Sequence, residues 1–237
     1  MSRSTGRLRQ TKIKQQTMAR QFSPGAGHRR AMNRISARTA GWSRTATGFQ
    51  SHPEPRTIGY LARGRQMLAG NFMFAGHFVE APGTDLWSLA APDAAFTEEL
   101  QGFTWLDDLA AVSDANARLT AQAWLWGWIA RYGRGKGPGW TPDLAGRRVI
   151  RWIQHAIFLL RGRTPEQSRA YFAALSRQAA FLARRARSAA PGLPRIEALT
   201  GLLYAGLSLE GMERHVAPAR AALGAECARM IDDQGGI

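Results

Sequence analysis

Apolar residues recur at the three- and four-residue spacing of a helix through most of the chain. The clearest window runs from Ser113 to Tyr132, opened by Ser113 and Asp114 as capping residues and stopped by Gly133. After the glycine-rich loop Gly133 to Gly139, Thr141-Pro142 supply an N-cap and a first-turn proline. Val149, Trp152, Ile153, Ala156 and Leu160 then share a face, which predicts one helix to about Leu160. Thr164-Pro165-Glu166-Gln167 reads as a capping box for a helix reaching about Arg187. Two more helices are predicted over Pro194 to Leu209 and Ala217 to Ile231, the second with Pro218 in its first turn. Asp232 to Gly236 breaks the pattern.

Upstream the signal is weaker. Thr57 to Ala69 predicts a weak helix and Ala95 to Leu109 a short one. Between them Gly70 to Pro92 is irregular and apolar, and the alternation over Phe72 to Glu80 predicts one short extended segment packed over helices. Long helices joined by short loops, without a strand pair, imply an all-α array of antiparallel helical hairpins. Such arrays close into toroids when hairpins are numerous, and the five or six long helices here make a partial (α/α) toroid.

Charge divides the chain in two. Residues 1–56 hold twelve Lys/Arg against the single acid Glu54, so they carry +11 of the total +15 and leave +4 for residues 57–237. This segment is poor in large apolar residues and has no sustained period, which predicts a disordered basic N-terminal tail before a helical domain over 57–237. Through charge alone it would bind an anionic polymer, polysaccharide or nucleic acid, or else stand solvated. No apolar signal region follows the basic start and no run approaches a membrane span, so the cytoplasm is the default location, or the periplasm were the true start elsewhere. The lone Cys227 excludes an internal disulfide.

Chemistry-bearing residues are few. Trp124, Trp128 and Tyr132 share one helical face and read as core, whereas Trp126 points away and Trp140 sits in the glycine-rich loop. Trp126 and Trp140 are therefore the better platforms for a sugar ring. Arg147, Arg148 and Arg151 beside Trp152 could face an anionic sugar through bidentate guanidinium contacts, or lie solvated on an outer face. His155, three residues after Trp152, would lie partly buried or in a cleft. Arg184, Arg185 and Arg187 suit a helix C-terminus. Gly133 to Gly139 lacks the Gly-Lys-Ser/Thr ending of a phosphate loop. The histidines show no metal spacing, and no cofactor motif is present.

Four stretches in order, GRQMLAGNFMFAG (Gly64 to Gly76), GFTWLDDLAA (Gly102 to Ala111), Arg148-x-x-x-Trp152-Ile153 and GLPRIEALTGLLYAGLSLEG (Gly192 to Gly211), resemble the N-terminal helical module of heparinase II/III-like proteins. The resemblance implies an α/α toroid that is normally followed by a β-sandwich, and acidic, uronate-containing polysaccharide as the partner. It adds weight to Arg148 as a substrate contact, beside Trp126, Trp140, Arg151, Trp152 and His155 as the other candidates. Lyases of this type cleave by β-elimination, which requires a neutralised uronate carboxylate and groups that move protons. The family's Asn for the first task falls in a Gly-Asn-His-Leu-Ile-Glu-Asn segment, matched here by Gly192-Leu193-Pro194-Arg195-Ile196-Glu197-Ala198. Leu193 stands at the Asn position and cannot donate to a carboxylate. The family's Tyr and His are expected beyond Ile237, so no catalytic residue carries over and the chain is expected to be inactive or divergent.

Overall fold

Side-chain caps start three of the helices in the computed structural model, which describes residues 24–43, 45–51, 53–55 and 58–230, while the expected Thr141 cap forms no bond and leaves Pro142 alone to open its helix. The Asp114 carboxylate accepts the Ala117 amide at 2.7 Å and opens α5 (Ala115–Tyr132). Before it come α1 (Pro24–Thr39), α2 (Leu61–Leu68), α3 (Ala94–Gln101) and α4 (Thr104–Val112). After it come α6 (Pro142–Gln154), α7 (Ala156–Leu160), α8 (Pro165–Arg185), α9 (Leu193–Ser208) and α10 (Val216–Met230). The predicted capping box is present: Gln167 N–H donates to Thr164 Oγ1 at 3.2 Å and Thr164 N–H to Gln167 Oε1 at 3.0 Å. The protein is all-α apart from one small hairpin.

Three element readings change. The apolar stretch after α2 forms two strands rather than one extended segment, β1 (Asn71–Phe74) and β2 (His77–Glu80), antiparallel with Met73 opposite Phe78. Ala75 and Gly76, both with positive φ, make the two-residue turn between them. The short helix expected over 95–109 is two, because Phe103 takes a left-handed conformation after Gly102 and separates α3 from α4. The helix expected to reach Leu160 breaks at His155, whose φ of −100° and ψ of 19° leave the helical region, so α7 is a separate turn.

The basic segment is the largest correction. Disorder was expected across 1–56, yet α1 is helical and packs on α8. Its contact stripe is Met32, Asn33, Ser36 and Ala37, continued by Ala40 just past its end; it is spaced as a helix face but Met32 is its one large apolar residue, so apolar bulk does not reveal it. Downstream, residues 46–50 cross the array: Ala46 N–H donates to Ser176 Oγ at 2.9 Å, Gln50 N–H to the Ser208 carbonyl at 2.9 Å, and Phe49 pairs with Leu209. Residues 1–23 and the Asp232–Gly236 break lie outside the described residues.

An aromatic core holds α4, α5, α6 and α8 together. Trp152 is fully buried and stacks on Tyr171 at 5.5 Å, and Trp128 meets Trp152 edge-on at 5.5 Å. The Tyr171 hydroxyl donates to the Trp152 carbonyl at 2.6 Å, and burial holds its pKa well above the usual phenol value. Trp124 and Trp128 are core, as their shared face predicted.

Helices α6 and α9 form the closest pair. Gly146 and Gly201 face each other so tightly that a Cβ on Gly201 would overlap the Gly146 backbone, and one on Gly146 the Glu197 carbonyl. Gly201→Ala is therefore expected to lower unfolding free energy by about 1–3 kcal/mol, the usual cost of overpacking. Urea denaturation checks this; an unchanged midpoint would show that the helices separate freely.

α10 is tied to the start of α9 by Glu226, 1 % exposed, which accepts the Gly192 amide at 2.7 Å and Arg195 Nη1 at 3.1 Å, and also pairs with Arg229. The Gly192 hydrogen bond, then the Arg195 and Arg229 charges, lower its pKa from the ordinary 4.5. Its contribution to stability is thus complete above pH 4.5 and lost as pH falls through the lower folded value. Melting temperature measured as a function of pH should fall more steeply below pH 4.5 in the wild type than in Glu226→Gln; parallel curves would contradict this.

Candidate functional site

Helix α6 carries most of the residues that the sequence marks for ligand contact, and its amphipathicity decides their fate. Arg148 lies on the inner side, fully buried. Its Nε donates to Gln178 Oε1 at 2.6 Å, Nη1 to the Gln101 carbonyl at 2.9 Å and Nη2 to the Gly139 carbonyl at 3.1 Å. The guanidinium also lies 4.2 Å from the centre of the Trp128 ring. Among the described residues no carboxylate pairs with it, and burial pushes its pKa down to about 9, so it stays cationic at neutral pH. Arg148 joins the end of α3, the α5–α6 loop and α8. It is a structural cation with no donor face open to a sugar.

Trp140 and Trp152 are enclosed as well, at 4 % and 0 % exposure. Trp140 Nε1 donates to the Tyr132 carbonyl at 2.8 Å and its ring meets Phe181 edge-on at 5.3 Å. The loop position that suggested a platform for Trp140 folds it inward against α8. Trp126 is half-buried against the core, and its buried indole nitrogen makes no hydrogen bond.

The outer side of α6 presents Asp143, Arg147, Arg151 and His155 at successive four-residue steps. Arg151 Nε reaches Asp107 Oδ2 at 2.8 Å, His155 Nε2 stands 2.8 Å from Asp107 Oδ1, and Arg147 pairs with Glu197 at 2.8 Å. Desolvation and the nearby Asp143 raise the Glu98 pKa; desolvation raises that of Asp108, which accepts the Tyr60 amide at 2.7 Å. The structure thus brings Arg151 and His155 together on one carboxylate. Each cation of this row already has an acid, so the row suits helix-to-helix packing better than capture of an anion.

A different surface collects positive charge of which, among the described residues, only Arg169 (to Glu166) and Arg195 (to Glu226) meet a carboxylate. Segments 24–43, 133–141 and 167–196 carry twelve Lys/Arg, four, two and six in turn, and no Asp or Glu. They meet where α1 crosses α8. Arg185 Nε donates to Asn33 Oδ1 at 2.9 Å and Arg184 Nη1 to Thr39 Oγ1 at 2.9 Å. Gly135 has a φ of +82° and sits so close to the Ala37–Arg38 backbone that a Cβ would clash, which seats the basic loop against α1. Arg177 donates to the Gly133 carbonyl at 3.2 Å, and its pKa is lowered by burial and by repulsion from Arg134. Arg34, Arg38, Arg134, Lys136 and Arg187 are exposed. Sequence reading assigned the α8 cations to the helix terminus and the α1 cations to a tail. The signal that joins them is the absence of acids from all three segments.

Among the described residues no group of three His, Cys, Asp or Glu could hold a metal ion, and no helix is long and apolar enough to cross a membrane. No family model, curated protein or solved structure matches the chain.

Helix α1 is docked against like charge, through the buried Ser36 and Ala37, the half-buried Met32, and hydrogen bonds from Arg184 and Arg185 to Thr39 and Asn33. Raising ionic strength from about 0.01 to about 0.5 M shortens the screening length from roughly 30 Å to a few Å. Amide exchange over residues 29–38 is expected to slow as salt rises, read by mass spectrometry. Exchange that quickens would mean that attraction, not repulsion, dominates this contact.

Proposed function

We propose that this chain binds an acidic, uronate-containing polysaccharide without cleaving it, as the helical part of a heparinase II/III-like protein. The observation that carries the reading is the basic face built by α1, the α5–α6 loop and α8, whose segments 24–43, 133–141 and 167–196 hold no Asp or Glu. Most cations of this face have no carboxylate partner among the described residues, so a polymer of regularly spaced anions is their natural complement. Guanidinium forks match carboxylate and sulfate oxygens in pairs. The family resemblance supports a polyuronate as that polymer, and the partial toroid as the frame that presents the face.

The non-lytic part rests on α9. Leu193 occupies the position of the family's carboxylate-neutralising Asn and stands 61 % exposed at the start of that helix. Without a donor there, the proton next to the uronate carboxylate keeps its ordinary acidity, and elimination has no means of stabilising the developing charge. The chemistry is lost at one residue while the charge that holds a polymer is retained elsewhere.

The test is binding of the full chain to a polyuronate by calorimetry at several salt concentrations, with absorbance at the unsaturated-uronate band followed in the same samples. Arg38→Gln, Arg134→Gln and Lys136→Gln alter exposed side chains that make no hydrogen bond or ion pair among the described residues. Combined, they are expected to weaken binding at least tenfold and to flatten its salt dependence, with no new absorbance in any sample. Binding that the triple variant leaves intact would remove the basic face from the reading, and product absorbance would overturn its non-lytic part. Stronger, equally salt-dependent binding to duplex DNA than to polyuronate would reassign the polymer.

A further inference from the structure

Next to the basic face a groove runs between the end of α8, α9 and α10. Its larger lobe, about 370 Å³, is lined by the apolar side chains of Leu199, Ala221, Ala222 and Ala225 and by Arg187, Arg195 and Arg229. A smaller lobe of about 190 Å³ shares Arg187 and Leu199 and continues along Leu202, Pro218 and His215. The larger lobe alone falls within the roughly 300–1,000 Å³ of small-molecule sites.

The groove is lined by both apolar and cationic side chains, and the two features together narrow the occupant. Three guanidinium groups face one carboxylate, Glu226. That carboxylate is already committed to the Gly192 amide, Arg195 and Arg229, and the same bonds fix the two arginines. Arg187 is exposed and has no hydrogen-bonded or ionic partner among the described residues. In the smaller lobe, burial and the neighbouring Arg214 hold the His215 pKa down, so this end adds no cation at neutral pH. A wholly polar anion would leave the leucine and alanine lining wet, and a neutral hydrocarbon would leave Arg187 without a counter-charge. We propose that this groove binds a small amphipathic organic anion, its carboxylate on Arg187 and its hydrocarbon body along Leu199 and the alanines of α10. The proposal goes beyond polymer binding, which needs no apolar lining.

The experiment uses the full chain and decanoate as the probe, followed by calorimetry and by displacement of anilinonaphthalene sulfonate. Decanol serves as the neutral control and a polyuronate as the polymeric one. One saturable site is expected, in which decanoate displaces the dye and decanol does so at least tenfold less well. Arg187→Gln should weaken decanoate about tenfold, and Ala225→Leu, which fills the lobe, should weaken both decanoate and the dye. A cooperative helical melt of each variant separates loss of the site from loss of fold. Decanol equal to decanoate, or Arg187→Gln equal to wild type, would overturn the proposal. So would the absence of a saturable site in the folded wild type. Displacement of the dye by polyuronate would instead make the groove part of the basic face, which also overturns a separate site; failure of the polyuronate to bind at all leaves this proposal standing and fails only the polymer reading.

Discussion

Helices α6 and α9 approach to the distance that only glycine allows, and much of the molecule is arranged around that contact. With Gly146 against Gly201, no side chain separates the two backbones. The rest of α6 is then divided sharply. Residues on one side, Arg148, Val149 and Trp152, are driven into the aromatic core, and residues on the other, Arg147 and Arg151, lie along the open edge of the α9 and α4 contacts. The same approach sets Glu197 beside Arg147. A guanidinium as deep as Arg148 would be costly in a less determined place. Here it has an acceptor from α8, one from the end of α3 and one from the glycine loop, with the Trp128 face beneath it. A cation that a surface reading would give to a ligand serves instead to hold three segments in register.

What the sequence reveals here follows from which physical signals are local. Caps are local, so Asp114 and the Thr164–Gln167 box mark helix starts correctly, and the Trp124/Trp128 face marks core correctly. Breaks within a helical pattern are less local. The left-handed turn at Phe103 and the interruption at His155 arise where a packed ring or the Asp107 carboxylate fixes a residue; Gly102 is the one local sign of the first, and the second leaves neither glycine nor proline. The hairpin at Asn71–Glu80 was visible as alternation but not as a pair, because its turn is Ala75-Gly76 rather than a strong turn dipeptide.

The candidate site was the least legible part, for a reason that is electrostatic rather than statistical. Arg and Trp beside each other suit a sugar, yet they equally suit a buried cation–π contact, and only tertiary placement separates the two. Arg148, Trp140 and Trp152 take the second role. The positive face, by contrast, is assembled from segments more than a hundred residues apart, and its seam with α8 is made of Ser36, Ala37 and Ala40. A helix that docks mostly through small residues gives no apolar stripe to read. What the sequence does carry is a gap in acidic residues, which becomes a surface property only once the three segments are brought together.

The distribution of acids therefore sorts the two faces by charge. On the outer side of α6, Arg147, Arg151 and His155 each have a carboxylate within 3 Å, so an incoming anion would have to displace a bond already made. Where α1 and the loop meet α8, Arg177, Arg184 and Arg185 are bonded to a carbonyl, hydroxyls and an amide, acceptors that fix a guanidinium without cancelling its charge. Positioning and neutralisation are usually accomplished by the same carboxylate; here they are separated. Arg177, Arg184 and Arg185 are held in place without a carboxylate partner among the described residues, and Arg177 is in addition partly desolvated and repelled by Arg134.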